Sequence, residues 1–154
     1  MVYSTDFSNF SLGLGYPYVS VKYNLSEKTA AEFRYINSSG INVYAGRFYW
    51  NFKAMPGAVS RDYVHQTAKK YDKTILFTGF EGGYIKFNTL DVKGSGTEIA
   101  GFIGGEHFIS KQLSLLLDFA PTFISLKDSD YSDVKVSGIE FVVNLGLYYR
   151  FGKK

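Results

Sequence analysis

The segment Ile139–Phe151 alternates strictly in character. Ile139, Phe141, Val143, Leu145, Leu147, Tyr149 and Phe151 take one set of places, and Glu140, Val142, Asn144, Gly146, Tyr148 and Arg150 take the other. Successive side chains of a β-strand point to opposite faces, whereas a helix repeats every 3.6 residues. The segment is therefore a strand with one oily wall and one largely polar wall. Such a strand needs a fold that treats its two faces differently.

The rest of the chain supports an all-β reading. Its 154 residues suffice for one domain, 18% of them are aromatic, and 16 are Gly. That balance, with few helix formers, favours strands. No stretch approaches the ~18 apolar residues of a membrane helix. A membrane β-strand needs only ~9–11 residues, apolar at every second place, and hydropathy averages conceal it. With 0 Cys the chain has no disulfide scaffold and no thiolate metal site. A net charge of +3, with no basic cluster among aromatics, argues against nucleic acid as a partner. Met1 is followed by the polar run Val2–Asn9 rather than a signal peptide, so the expectation is a mature chain carrying an added initiator Met.

Period-2 alternation and turn residues predict seven further strands, at about 7–15, 18–25, 30–37, 41–52, 74–87, 99–109 and 113–126. Tyr16-Pro17, Ser26-Glu27-Lys28, Ser38-Ser39-Gly40 and Ser110-Lys111-Gln112 mark tight connections. Lys86 departs from its strand's apolar pattern and marks a bulge or a water boundary. Asp91–Glu98 reads as a Gly-rich loop and Asp128–Ser137 as an acidic one. The polar stretch Lys53–Asp72 has room for a short surface helix over Arg61–Lys70. No repeat or linker divides the chain, so residues 1–154 form one domain.

Two barrels fit this alternation: a soluble one with the oily face inside, and a membrane barrel with that face outside. Three features favour the second. The oily faces are bulky, while Gly13, Gly15, Gly79, Gly83, Gly104, Ala120 and Gly146 lie on the opposite face, which suits a narrow lumen. The charges on that smaller face nearly balance: Glu32, Glu81, Glu106, Asp118 and Glu140 against Lys22, Arg34, Arg47 and Arg150. Buried charges must pair, so these residues are expected to form an ion-pair network closing the lumen. Finally, Tyr23, Trp50, Phe52, Tyr149 and Phe151 gather towards one rim and Tyr35, Tyr44 and Tyr84 towards the other, as in a membrane barrel's aromatic girdles.

The final strand also carries a motif. Asn144, Gly146, Tyr149 and Phe151 fill the places of a polar residue, a Gly and two alternate aromatics. This resembles the terminal assembly signal of bacterial outer-membrane β-barrels. As architecture, the whole chain looks like a small eight-stranded barrel of the OmpA/OmpX type. The resemblance implies an antiparallel up-and-down transmembrane barrel in the bacterial outer membrane. It also implies contact with membrane lipid and lipopolysaccharide, insertion by the outer-membrane barrel assembly machinery, and a monomeric state.

Chemistry-bearing groups are sparse. His107 and Ser110 would suit a lipid acyl hydrolase, but residues three apart on a strand face opposite ways. His65 lies in the polar stretch with Asp62 and Tyr63. Asp128, Asp130 and Asp133 lack the spacing and Gly of a calcium loop. Gly101 and Gly104-Gly105 form no dinucleotide fingerprint. No catalytic, metal or cofactor residue is assigned, and no cofactor is expected. The expected function is a structural role, or one mediated by the loops around Thr89–Glu98 and Lys127–Ser137. A narrow pore is the alternative, followed by a lipid-modifying enzyme or a soluble lipocalin-like barrel.

Overall fold

A computed structural model describes residues 9–56, 73–89, 92–129 and 135–151. Eight strands follow in order: β1 (Phe10–Gly15), β2 (Tyr18–Asn24), β3 (Thr29–Ser38), β4 (Ile41–Pro56), β5 (Lys73–Asn88), β6 (Lys93–Phe108), β7 (Leu113–Asp128) and β8 (Lys135–Arg150). Each pairs antiparallel with the next, and β8 returns to β1 through Ser11↔Arg150 to Gly15↔Gly146, closing the barrel. This is the all-β, up-and-down, eight-stranded architecture the alternation predicts.

Following partners around the ring measures its stagger. Arg150 faces Ser11, then Lys22, Glu32, Arg47, Glu81, Ala100, Thr122 and finally Glu140. The circuit returns to β8 ten residues away, 150 to 140. Strands in a closed barrel must tilt, and the stagger is the measure of that tilt.

The connections explain how the ladders turn. Between β3 and β4, Ser39 (φ 46°) and Gly40 (φ 84°) both occupy the left-handed region. That is the geometry of a two-residue hairpin turn whose twist matches the strands. At the opposite end, Ser26 Oγ accepts from the Lys28 and Thr29 N–H groups (both 3.1 Å). Ser110 Oγ likewise accepts from Gln112 N–H (3.2 Å) and Leu113 N–H (3.0 Å). The two short turns at that end are thus built the same way.

Several strand limits differ from the sequence reading. β6 begins at Lys93, so most of the expected Gly-rich loop is ladder. β8 begins at Lys135, inside the expected acidic loop, and β4 runs on to Pro56. Backbone hydrogen bonds alone carry the pairing at these strand ends, so it continues without apolar alternation to announce it. Lys86 is no bulge: it pairs in register with Asn42 and Ser95. The irregularity falls between Asn51 and Lys53, leaving Phe52 as the extra residue. The expected helix over Arg61–Lys70, with Asp62, Tyr63 and His65, lies outside the described residues, as do Asp130 and Asp133.

The two faces are inverted relative to a water-soluble protein. Leu12, Phe33, Phe80, Leu117 and Leu145 are exposed on the outside, while Lys22, Glu32, Arg34, Arg47, Glu106 and Asp118 are buried inside. The change occurs between neighbours: Leu116 is 0% exposed and Leu117 is 52% exposed. Outer aromatics stand towards both ends of the strands but also between them, where Phe48 stacks on Phe80 and Phe119 on Phe141, so they are not confined to two girdles. Phe10 packs on Tyr23 (4.7 Å between ring centres) and Tyr149 on Phe151 (5.3 Å) at the end holding both described termini, with Tyr35 on Tyr44 (5.3 Å) towards the other.

Candidate functional site

The lumen holds the polar chemistry, arranged in two layers. In the layer nearer the termini, Glu106 receives Lys22 Nζ (2.6 Å), Arg150 Nη2 (3.2 Å) and Ser114 Oγ (2.6 Å). The Arg150 guanidinium also stacks on the Phe108 ring at 4.4 Å. Below Glu106 and Arg150 lies a pocket of only about 20 Å³. That is close to the room one water occupies.

The second layer crosses the middle of the lumen. Arg47 donates to both oxygens of Asp118 (2.7 and 3.1 Å) and pairs through Nε with Glu81. Its planar fork suits this use, because it can satisfy carboxylates on two sides while remaining charged. Arg34 lies 3.2 Å from Glu32 and 3.6 Å from Asp118, with its guanidinium over the Tyr18 ring at 4.0 Å. Tyr148 Oη donates to Glu32 Oε1 (2.6 Å), and Tyr49 Oη donates to the other oxygen. Asn144 Nδ2 completes Asp118 at 2.8 Å. Each charge in this layer thus faces an opposite charge, and Arg47, Arg34, Glu32 and Asp118 make further side-chain hydrogen bonds, although Arg34 Nε is left without a hydrogen-bond partner. Ion pairs taken from water require such completion if they are not to be costly.

Space for the large rings comes from glycine. A Cβ on Gly13 would come 2.6 Å from Tyr148 Cε1, and one on Gly146 would come 2.9 Å from the same ring. Both distances are below any ordinary contact, so these positions admit Tyr148 only because they are bare.

Eight of the nine residues expected in the network stand together: Lys22, Glu32, Arg34, Arg47, Glu81, Glu106, Asp118 and Arg150. Glu140 does not. It shares the lumen face but is exposed, opposite Thr122, at the far end of the barrel. The ten-residue stagger is the reason, because it separates residues 140 and 150 along the axis. Of the assembly motif, Asn144 and Gly146 face inward, while Tyr149 and Phe151 are exposed outside.

Above the second layer the lumen changes character. A cavity of about 430 Å³ opens there, with Ile36, Val43, Ile85, Ile124, Leu126 and Val142 on its walls. Glu81, Glu98, Glu140, Thr122, Asn144 and Arg34 also reach it. Glu98 was missed in the sequence because its segment reads as loop. Its place two residues before Ala100, in step with Phe102 and Glu106, was the available clue.

His107 and Ser110, whose spacing already argued against a Ser–His pair, have separate hydrogen-bond partners. His107 Nδ1 shares a 3.0 Å hydrogen bond with Thr74 Oγ1, and Ser110 Oγ is held by its own turn. Among the described residues no group of three or more His, Asp or Glu is placed to hold a metal ion.

No known protein family matches the chain, and no curated protein matches it. Among solved structures it is similar to the crystal structure of the N-terminal β-barrel domain of Pseudomonas aeruginosa OprF, at 13% identity over 92% of this chain and 93% of that one, with a TM-score of 0.49.

Proposed function

We propose that this protein is a small integral outer-membrane β-barrel with a closed lumen, acting as a structural element or through its loops. One observation carries the reading: bulky apolar side chains cover the outside while the charges are buried within. An apolar surface of that extent would associate in water, and lipid is the solvent that fits it. That inversion and the motif on β8 support an outer-membrane location. Membrane lipid and lipopolysaccharide would then be its surroundings, the barrel assembly machinery its route of insertion, and the monomer its working state. The ion-paired layers favour a plug over the alternative of a narrow pore, because they fill the lumen between the cavity at one end and the small pocket at the other.

The test combines electrophoresis, sedimentation and conductance. The barrel should fold only with detergent or lipid, should migrate differently before and after boiling, and should leave a planar bilayer without steady conductance. A monodisperse β protein in plain buffer would overturn the membrane assignment. A large steady conductance would overturn the closed lumen and leave the pore reading.

A further inference from the structure

The cavity above the second layer combines two features seldom found together. Its walls are apolar: Ile36, Val43, Ile85, Ile124, Leu126 and Val142 line it. It also contains acids left without counter-ions. Glu98 is 9% exposed, and its Oε1 has no hydrogen-bond partner among the described residues. None of the ion pairs among the described residues reaches Glu98 or Glu140. The two cations nearest this region, Arg34 and Arg47, are committed to Glu32, Asp118 and Glu81. Glu98 lies within electrostatic range of Glu81 and Glu140 as well as of Arg47, whose ion pairs go to Asp118 and Glu81.

A carboxylate oxygen buried without a donor is costly to maintain, and the cost falls when a donor arrives. The cavity volume of about 430 Å³ lies in the range of small-molecule sites, which pair apolar walls with a few polar groups. Access is built in as well. β1 pairs with β8 only from Gly146 to Arg150, so β8 rises beyond its neighbour and leaves a notch beside the cavity.

From this geometry we infer that the cavity is a binding site for a cationic amphiphile, an apolar body of modest size bearing a protonated amine. The body packs against Val43, Ile85 and Val142, and the ammonium donates to Glu98 with Glu140 beside it. An anionic amphiphile of the same length is refused, because its head would meet unpaired carboxylates. An uncharged one binds through its tail alone.

The test is an NMR titration of the barrel in lipid nanodiscs with octylamine, octanol and octanoate. Octylamine should shift the amides of Glu98, Thr122 and Val142 at saturable concentrations, octanol more weakly, and octanoate not at all. Glu98→Gln should weaken octylamine at least tenfold and leave octanol unchanged. Val142→Trp, which fills the cavity, should abolish both responses. Unchanged heat-modifiable mobility identifies variants that still fold. Three results would overturn the assignment: octylamine shifts spread over lipid-facing Phe33 and Leu117, octanoate binding as tightly as octylamine, or unaltered affinity in Glu98→Gln. The site lies on the lumen face, so the same titration in plain buffer would judge it separately should the barrel prove water-soluble.

Discussion

The two halves of the lumen solve opposite problems with the same strands. In the half nearer the termini, Arg34, Arg47, Lys22 and Arg150 meet Glu32, Glu81, Asp118 and Glu106, and tyrosines and an asparagine add further hydrogen bonds. In the other half, Ile36, Val43, Ile85, Ile124, Leu126 and Val142 surround free space, and Glu98 stands with an unpartnered oxygen. In the first arrangement every charge has an opposite charge beside it, although Arg34 Nε and Ser20 Oγ lack hydrogen-bond partners. In the second, Glu98 and Glu140 have no ion pair among the described residues. Buried charge in the lumen therefore means stability in one half and an open site in the other, and what separates them is whether each charge has its partner.

The largest expected effect breaks the complete half. Arg47→Ala would leave Asp118 and Glu81 without their main cation. Orphaning buried charge of this kind costs about 3–5 kcal/mol, and less where water enters. Urea unfolding in lipid vesicles should show that loss, and bilayer recordings should show increased leak. Unchanged stability and leak would mean that the layer is not what holds the lumen closed.

A second comparison sets the outer wall against the cavity. Leu117 is exposed on the outside near the middle of the apolar band, so Leu117→Arg should cost about 2–4 kcal/mol of insertion energy. Thr122 faces the cavity, where free volume and nearby acids accept a cation, so Thr122→Arg should lower folding yield less. Equal or reversed yields in vesicles would mean that the faces have been assigned the wrong way round.

The smallest effect is also the sharpest contrast between halves. Glu98→Gln replaces a carboxyl group whose Oε1 has no hydrogen-bond partner and which makes no ion pair among the described residues. It should leave stability unchanged or raise it by up to about 1 kcal/mol, against the loss expected for Arg47→Ala. A clear loss in the same urea titration would show that Glu98 belongs to the self-sufficient network after all.

Much of this was readable in the chain, and the failures share a cause. Alternation of bulky and small residues located the strands and their faces, because the lumen and the outside impose different chemistry at every second position. It placed Arg34, Arg47 and Asp118 on one face without showing their contacts. It failed where that contrast fades. Lys93-Gly94-Ser95-Gly96 reads as a loop, yet it continues the β6 ladder, where backbone hydrogen bonds suffice. Leu116 was hidden in the run Leu115–Leu117, in which every residue is oily, although it points inward. Height along the barrel axis was invisible throughout. Glu140 and Arg150 share a face in the sequence, and only the stagger of the closed ring puts one at the cavity and the other in the plug.

The most direct test uses two neighbouring residues. In methyl-labelled protein in nanodiscs, a lipid-borne nitroxide and a water-soluble paramagnetic agent can be compared at Leu116 and Leu117. The closed, inverted barrel predicts that the lipid-borne label broadens Leu117 strongly, while Leu116 stays sharp with both agents. Broadening of Leu117 by the aqueous agent alone would contradict the outward-facing membrane wall, and broadening of Leu116 by that agent would contradict the closed lumen.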